Sequence, residues 1–217
     1  MNSETAPVIV VYYGISSPWA YLGARTVQAI AARQGARLAL KPIRVIPENG
    51  GVLLRTRPAA RQNYHAVELD RWRRHLGIPL NLRPKYYPCR TIELAAKCVI
   101  TLQLHDHDET EVSFRIQRAL WAEDRDIADL AVLSAIVTEV LGPQAAGLVT
   151  DPYPAEVTAR WHANLKEAEA LGIFGTPTYV VDGELFWGQD RLPFVERKLV
   201  EMAGAAEPAR PAEMPAA

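Results

Sequence analysis

The chain has 217 residues, of which 49% are hydrophobic and 23% are charged, and its formal net charge is −1 at pH 7. This balance is typical of a soluble globular protein with one sizeable core or two closely packed lobes. A near-neutral charge argues against a nucleic-acid partner, and no apolar stretch approaches the roughly 18 residues of a membrane span. Residues 1–7 lack the basic start of a secretory signal, so a cytoplasmic protein with no membrane partner is expected.

The residue types that form disulfides or bind metals occur here without the spacing of a known site. Cys89 and Cys98 form neither a C-x-x-C pair nor a zinc motif, and free thiols with packing roles are expected. Residues 105–108 read His-Asp-His-Asp, but they lie in a polar stretch with no distant partner at a recognised spacing. A solvated loop is expected there, and no metal site is predicted.

The first elements in the chain are a strand and a helix. Residues 8–13 form a continuous apolar run rich in β-branched and aromatic side chains, which predicts a buried strand. Ser17 is a good helix N-cap and Pro18 a good first helical residue, so a helix is predicted from Pro18 to about Gln34. The Ser17 hydroxyl then faces the electropositive end of that helix, where free backbone N–H groups can hold an anion. A plain capping serine remains the alternative.

A second strand is predicted at residues 36–43, followed by a loop at 47–51 that contains Pro and two Gly. The middle of the chain is predicted to be helical, because apolar residues recur there at helical spacing. The segments with this spacing are residues 92–102, 112–120, 127–140 and 157–171.

The pattern changes after Gly175. Residues 178–181 and 184–187 flank Asp182-Gly183, which predicts a two-residue β-hairpin. A last helix is predicted from about Leu192 to Met202, and the Ala- and Pro-rich tail is expected to be disordered. The order of elements predicts an α/β protein with a thioredoxin-like fold and an inserted all-helical domain. The predicted division is 1–48 with 166–203 for the thioredoxin-like domain, 49–165 for the insertion and 204–217 for the tail.

Four segments carry a family resemblance through their joint order along the chain. They are Ser-Ser-Pro-Trp-Ala-Tyr-Leu at 16–22, residues 57–80 with Glu-Leu-Asp-Arg-Trp at 68–72, Gly-Ile-Phe-Gly-Thr-Pro-Thr at 172–178, and Phe-Trp-Gly-Gln-Asp-Arg-Leu at 186–192. With these segments the chain resembles the glutathione-dependent 2-hydroxychromene-2-carboxylate isomerases, relatives of kappa-class glutathione transferases and DsbA-like oxidoreductases. The resemblance covers nearly the whole chain except the tail.

The resemblance implies glutathione as cofactor and gives Ser17, preceding Pro18, the catalytic role of hydrogen-bond donor to the glutathione sulfur. It implies a cis peptide bond between Thr176 and Pro177, with the Thr176 backbone pairing with the glutathione cysteine. The resemblance also implies Gln189 and Asp190 at the γ-glutamyl end of glutathione, with Arg191 beside them. It implies Asn49 and Arg61 as well, in a region where the loop differs from that of better known family members.

A hydrogen bond donated by Ser17, together with the helix N-terminus, can supply the free energy needed to ionise the glutathione thiol. A thiol with a pKa near 8.5 is about 3% ionised at pH 7, and lowering that pKa to roughly 6.5 makes it about three quarters ionised, a shift of about 2.7 kcal/mol. A charge-assisted hydrogen bond of roughly 1.5–3 kcal/mol and a helix N-terminus of about 0.3–1 kcal/mol can supply this. A serine nucleophile would instead need an adjacent general base, and no histidine is near Ser17 in sequence.

The implied activity is isomerisation of an aromatic breakdown product, as in the interconversion of 2-hydroxychromene-2-carboxylate and trans-o-hydroxybenzylidenepyruvate. A kappa-like transferase and a non-catalytic binding protein remain alternatives. A disulfide oxidoreductase is disfavoured, because Ser17 and Ala20 stand where both redox cysteines would be. A homodimer is implied by the resemblance only.

Two groups of side chains have two interpretations each. The aromatic residues are expected either to fill the core or to line an aromatic substrate pocket, and they are Trp19, Tyr21, Tyr64, Trp72 and Trp187. The arginines between 55 and 74 resemble a nucleic-acid patch, but interleaved Glu68 and Asp70 favour a charged helix face, with Arg61 turned toward glutathione.

Overall fold

The computed structural model describes residues 6–206, and its centre is one mixed four-stranded sheet. The strands are β1 (Val8–Tyr13), β2 (Arg37–Pro42), β3 (Thr178–Val181) and β4 (Glu184–Trp187), in the order β2-β1-β3-β4. β1 and β2 are parallel, whereas β3 pairs antiparallel with both β1 and β4. The predicted α/β class is confirmed.

Helices surround the sheet and fill the chain between β2 and β3, as predicted. They are α1 (Pro18–Gln34), α2 (Ala59–Leu76), α3 (Glu93–Leu104), α4 (Thr110–Ala122), α5 (Leu130–Leu141), α6 (Pro143–Ala146), α7 (Ala155–Ala170) and α8 (Leu192–Ala206). No helix in this part of the chain is both long and apolar enough to cross a membrane.

Two of the predicted domain boundaries fall inside these helices. The predicted domain division at 165/166 falls inside α7 and stays a prediction. α8 extends to Ala206, so the predicted tail begins in its last turns, and residues 207–217 lie outside the described residues.

Local sequence signals explain the predicted turns. Ser17 caps α1, with Oγ accepting a hydrogen bond from the Ala20 amide at 3.3 Å, and Pro18 is the first helical residue. Asp182 and Gly183 have φ angles of 50° and 76°, the left-handed pair that a tight hairpin requires. The first helix and the hairpin are therefore confirmed.

The apolar run of β1 is continuous because both faces of the strand are covered. Ile9, Val11 and Tyr13 belong to the main core, which reaches into the inserted helices. Tyr12 lies on the opposite face in a second cluster with Ile43, under α7. Because other elements pack on both faces of the strand, apolar residues follow one another without alternation.

An ion pair ties α7 to the edge of the sheet. Glu167 of α7 accepts hydrogen bonds from Lys41 Nζ at 2.5–2.7 Å and from the Tyr12 hydroxyl at 2.8 Å. Burial raises the pKa of the Glu167 carboxyl, but the Lys41 and Tyr12 hydrogen bonds outweigh burial, so the pKa lies below its ordinary value of 4.5. The carboxylate therefore holds together three elements that are far apart in the chain.

This depressed pKa predicts an acid-dependent loss of stability. A carboxyl whose pKa is lower in the folded state stabilises the protein above its unfolded pKa, and that contribution is lost as pH falls through the folded pKa. We expect Glu167→Gln to be less stable than wild type at pH 7 and to lose much of that deficit at about pH 3. Urea unfolding at both pH values measures this, and an equal deficit at both would contradict it.

Candidate functional site

A cleft of about 1030 Å³ lies at the N-terminus of α1. One wall comes from the ends of the sheet: the turn before α1, the loop before β3, and the turn after β4. The other wall comes from the inserted helices and the loops before them. The predicted site residues that line this cleft are Ser17, Pro18, Thr176, Gln189, Asp190 and Arg191.

Ser17 lies beside the cis-proline loop. Its hydroxyl donates a hydrogen bond to the Thr176 carbonyl at 3.3 Å while accepting the Ala20 amide. The Thr176–Pro177 peptide bond is cis, as the resemblance implied. Among the described residues no basic side chain is hydrogen-bonded to Ser17, so the hydroxyl is arranged to donate and not to attack.

The turn after β4 places a carboxylate next to this loop. Gly188 donates its amide to the Pro177 carbonyl at 2.9 Å, which joins the two loops directly. Gln189, Asp190 and Arg191 then form a short 3-10 turn leading into α8, and Arg191 Nη2 lies 3.5 Å from Asp190 Oδ2. An anionic group thus lines the same cleft as the Ser17 hydroxyl, where it can meet a ligand ammonium group.

Gly188 is required twice at this turn, for its backbone and for its lack of a side chain. Its φ is +103°, and a Cβ there would lie 2.5 Å from Asp190 Oδ1. Gly188→Ala is expected to cost about 1–2 kcal/mol of stability from the strained backbone. It also displaces the Asp190 carboxylate, so we expect the glutathione affinity that the resemblance implies to fall about tenfold or more, as measured by calorimetry.

Gly142 provides the matched control for this prediction. Its φ is +91°, no atom of another described residue beyond its chain neighbours lies within 4 Å of the position of a Cβ, and it does not line the cleft. Gly142→Ala should lose comparable stability and keep the glutathione affinity of the wild type. Equal losses of glutathione affinity in Gly188→Ala and Gly142→Ala would contradict a role of Asp190 in binding.

Three predicted binding residues do not line the cleft. Asn49 uses its amide to cap the end of α7, donating to the carbonyls of Glu169 at 2.9 Å and Ile173 at 3.0 Å. Arg61 is exposed on α2, outside the cleft lining. Pro177 is buried behind Thr176 and lines a separate small cavity. Glutathione contacts for Asn49 and Arg61 remain predictions without support from this geometry.

The aromatic residues divide between the two interpretations. Tyr21 is fully buried in the core, and Tyr64 is exposed on α2. The three tryptophans of this set line the cleft, namely Trp19, Trp72 and Trp187. Trp187 packs directly on Gly175 and edge-on against Phe174, with ring centroids 4.7 Å apart. The cleft therefore offers aromatic surface beside the loop that carries Thr176.

The arginines also divide between two environments. Arg71, Arg73 and Arg74 pair with Glu68 and Asp70 along α2, as the charged-helix interpretation predicts.

Three further arginines, Arg44, Arg55 and Arg57, line the cleft instead. No carboxylate among residues 6–206 lies within 4.0 Å of these three guanidinium groups. The cleft is therefore suited to an anionic ligand.

Among the other side chains that line the cleft and were not predicted site residues are Cys89 and His65. Cys89 lies in its wall, where burial, together with the Asp126 carboxylate, raises the thiol pKa to about 11. His65 of α2 accepts a hydrogen bond at Nε2 from Trp19 Nε1 at 3.1 Å. Burial and the nearby Arg57 lower the pKa of His65. No local motif marks either residue, because both reach the cleft only through the packing of α2 and the following loop.

Comparisons with known proteins agree with this fold. The family model of the DSBA-like thioredoxin domain matches residues 8–200, so the chain belongs to that family. The thioredoxin-like fold predicted from the order of elements is thereby confirmed.

Individual relatives are more distant. A curated 2-hydroxychromene-2-carboxylate isomerase of Sphingobium xenophagum is 27% identical over 195 residues, 88% of this chain and 96% of the relative. A solved structure of a 2-hydroxychromene-2-carboxylate isomerase has a TM-score of 0.70 at 21% identity, over 91% of this chain and 97% of that chain. The cytosolic disulfide reductase DsbM of Pseudomonas aeruginosa, solved with GSH, has a TM-score of 0.64 at 21% identity, over 91% and 99%. The resemblance to the isomerases is confirmed.

Proposed function

We propose that this protein is a glutathione-dependent isomerase that acts on a carboxylate-bearing intermediate of aromatic breakdown, similar to 2-hydroxychromene-2-carboxylate. The observation that carries the proposal is the Ser17 hydroxyl, which lies at the N-terminus of α1 and beside the Thr176 carbonyl with no general base bound to it. Such a group activates a thiol by hydrogen bonding and has no means to become a nucleophile itself.

Glutathione would lie along the sheet side of the cleft. Its sulfur would take the Ser17 hydrogen bond now given to Thr176, and its cysteine backbone would pair with the Thr176 backbone. Its ammonium group would meet Asp190, with Arg191 steadying that carboxylate at 3.5 Å. The helix N-terminus adds a favourable field for the thiolate.

The substrate would occupy the opposite side of the cleft. Ligand pockets commonly measure about 300–1,000 Å³, and this cleft of about 1030 Å³ has room for a tripeptide and a second small molecule. Trp19 and Trp72 provide aromatic surface, and Arg55 and Arg57 are available to a carboxylate. An aromatic acid fits both features.

In the proposed reaction glutathione is a recycled catalyst. The thiolate adds to a conjugated carbon of the ring-opened substrate, and the electron pair of the double bond moves onto the carbonyl oxygen as an enolate. The former double bond is now a single bond and rotates. Collapse of the enolate restores the double bond in the other geometry and expels the thiolate, so no atom is gained or lost. The protein ionises and orients the thiol and stabilises the enolate.

Calorimetry and a rate assay on the whole chain test this proposal. We expect saturable glutathione binding with proton release at pH 7, followed by glutathione-dependent conversion of 2-hydroxychromene-2-carboxylate with no net loss of glutathione. Stoichiometric consumption of glutathione with an electrophile would replace the isomerase with a kappa-like transferase. Absence of binding would reject both and leave a non-catalytic binding protein.

The homodimer implied by the resemblance and the cytoplasmic location expected from residues 1–7 are part of the same proposal. Light scattering of the purified protein and fractionation of the source cells test them separately.

A further inference from the structure

We propose that His65 is the neutral hydrogen-bond donor to the enolate oxygen, with its ring tautomer fixed by Trp19. This inference rests on the proposed isomerase function and adds a catalytic residue to it. Ser17 and Trp19 both lie at the start of α1, two positions apart. The indole N–H of Trp19 donates a hydrogen bond to His65 of α2, and His65 lines the cleft. His65 therefore lies in the wall of the cleft in which the substrate is proposed to bind.

The Trp19 contact determines which ring nitrogen of His65 carries the proton. An indole N–H can only donate, so His65 Nε2, at 3.1 Å, must be the unprotonated acceptor. A neutral imidazole with Nε2 unprotonated has its proton on Nδ1. A protonated ring would place two donors face to face, which the Trp19 contact disfavours.

The Nδ1–H group has no protein partner among the described residues, although the ring lines the cleft. The position of Arg57 near the ring and the partial burial of His65 both oppose a positive charge on it. The side chain is thus a neutral donor held ready in a partly desolvated wall. Such a donor stabilises a developing oxyanion and keeps its own proton, so the collapse of the enolate is not delayed by a proton that must be returned.

The geometry of the Trp–His pair distinguishes His65 from a second histidine on the same helix. His75 also lies edge-on to a tryptophan, Trp72, with ring centroids 5.6 Å apart, but no ring nitrogen of His75 is hydrogen-bonded to it and His75 does not line the cleft. The Trp19–His65 pair has a similar ring arrangement at 5.4 Å and adds the hydrogen bond. His75 is therefore the matched control.

The activity test compares three variants in the isomerisation of 2-hydroxychromene-2-carboxylate with saturating glutathione. His65→Leu should lower kcat about 100-fold, the usual loss of one oxyanion donor, with glutathione affinity unchanged. His65→Asn keeps an N–H near the Nδ1 position and should retain kcat within about tenfold of wild type. His75→Leu should match the wild type. Full activity in His65→Leu would overturn this inference and leave the isomerase intact.

The tautomer is tested separately by nitrogen NMR of the ¹⁵N-labelled protein. His65 should appear as the neutral Nδ1–H form at pH 7, and Trp19→Phe, which keeps the ring but removes the N–H, should shift it toward the Nε2–H form. An Nε2–H or imidazolium signal in the wild type would overturn the inference. Absence of glutathione-dependent isomerisation in the wild type would overturn the proposed function and the role of His65 together, an outcome distinct from the other two.

Discussion

Replacing Ser17 with alanine is expected to lower glutathione-dependent turnover at pH 7 by one to two orders of magnitude. Without the hydroxyl, the bound thiol loses a charge-assisted hydrogen bond of about 1.5–3 kcal/mol. Its pKa then returns toward about 8.5, and the thiolate fraction at pH 7 falls from about three quarters to about 3%, roughly 25-fold. Misplacement of the sulfur adds to this loss.

The pH dependence makes this prediction specific. The deficit should shrink as pH rises toward about 9, because the free thiol then ionises without help. Turnover measured from pH 6 to 9, together with the ultraviolet absorbance of the bound thiolate, checks it. A deficit that stays constant with pH would contradict a role in lowering the thiol pKa.

Ser17 is also the N-cap of α1, so stability must be separated from chemistry. The alanine variant should lose about 1 kcal/mol of stability with the cap, whereas glycine at an N-cap costs only a few tenths of a kcal/mol. Ser17→Gly should therefore lose turnover as strongly as Ser17→Ala at nearly wild-type stability. Ser17→Thr, which keeps both the cap and a hydroxyl, is the control expected to retain activity.

Replacing Trp121 with alanine is expected to lower the free energy of unfolding by about 3–5 kcal/mol. The side chain is 2% exposed, packs against Tyr87 with ring centroids 4.8 Å apart, and donates from Nε1 to the Ser16 carbonyl at 3.3 Å. Its loss leaves a large cavity between α4 and the turn that precedes α1. Urea unfolding measures the change.

Trp121→Phe keeps an aromatic ring in the core but removes the N–H donor. It should cost less stability than alanine but leave the Ser16 carbonyl without its donor. The turn that carries Ser17 then loses a support, and we expect weaker glutathione binding as well. Trp187→Ala is the control for ring size, since Trp187 is 52% exposed and should cost no more than about 1.5 kcal/mol. Equal losses for the two alanine variants would contradict the role of burial.

Features with local signals could be predicted from the sequence. The capping pair Ser17-Pro18 and the hairpin pair Asp182-Gly183 adopt the expected conformations because each depends on only a few neighbouring residues. Helical periodicity likewise indicated the insertion between β2 and β3. The cis bond at Thr176–Pro177 followed from the family resemblance alone, since no local energy favours it.

Which side chains line the cleft depends on long-range packing, so fewer of them could be predicted from the sequence. His65 reaches the site because α2 packs against α1, where its partner Trp19 lies 46 positions earlier in the chain. Asn49 lies in the predicted loop, but its side-chain amide donates hydrogen bonds to backbone carbonyls at the end of α7. A sequence pattern does not show which partner a side chain finds when that partner is distant in the chain or is a ligand.

The two walls of the cleft come from separate parts of the chain, and this has an evolutionary consequence. The side proposed to bind the thiol is built from the turns at Ser17, Thr176 and Asp190, whereas residues 52–93 supply most of the facing side chains. Side chains on that facing wall can be exchanged without altering the turns. Under the proposed function, a lineage with this architecture that keeps His65 is expected to acquire new substrates while its glutathione chemistry stays constant. A laboratory library confined to the other residues of 52–93 can follow the same route.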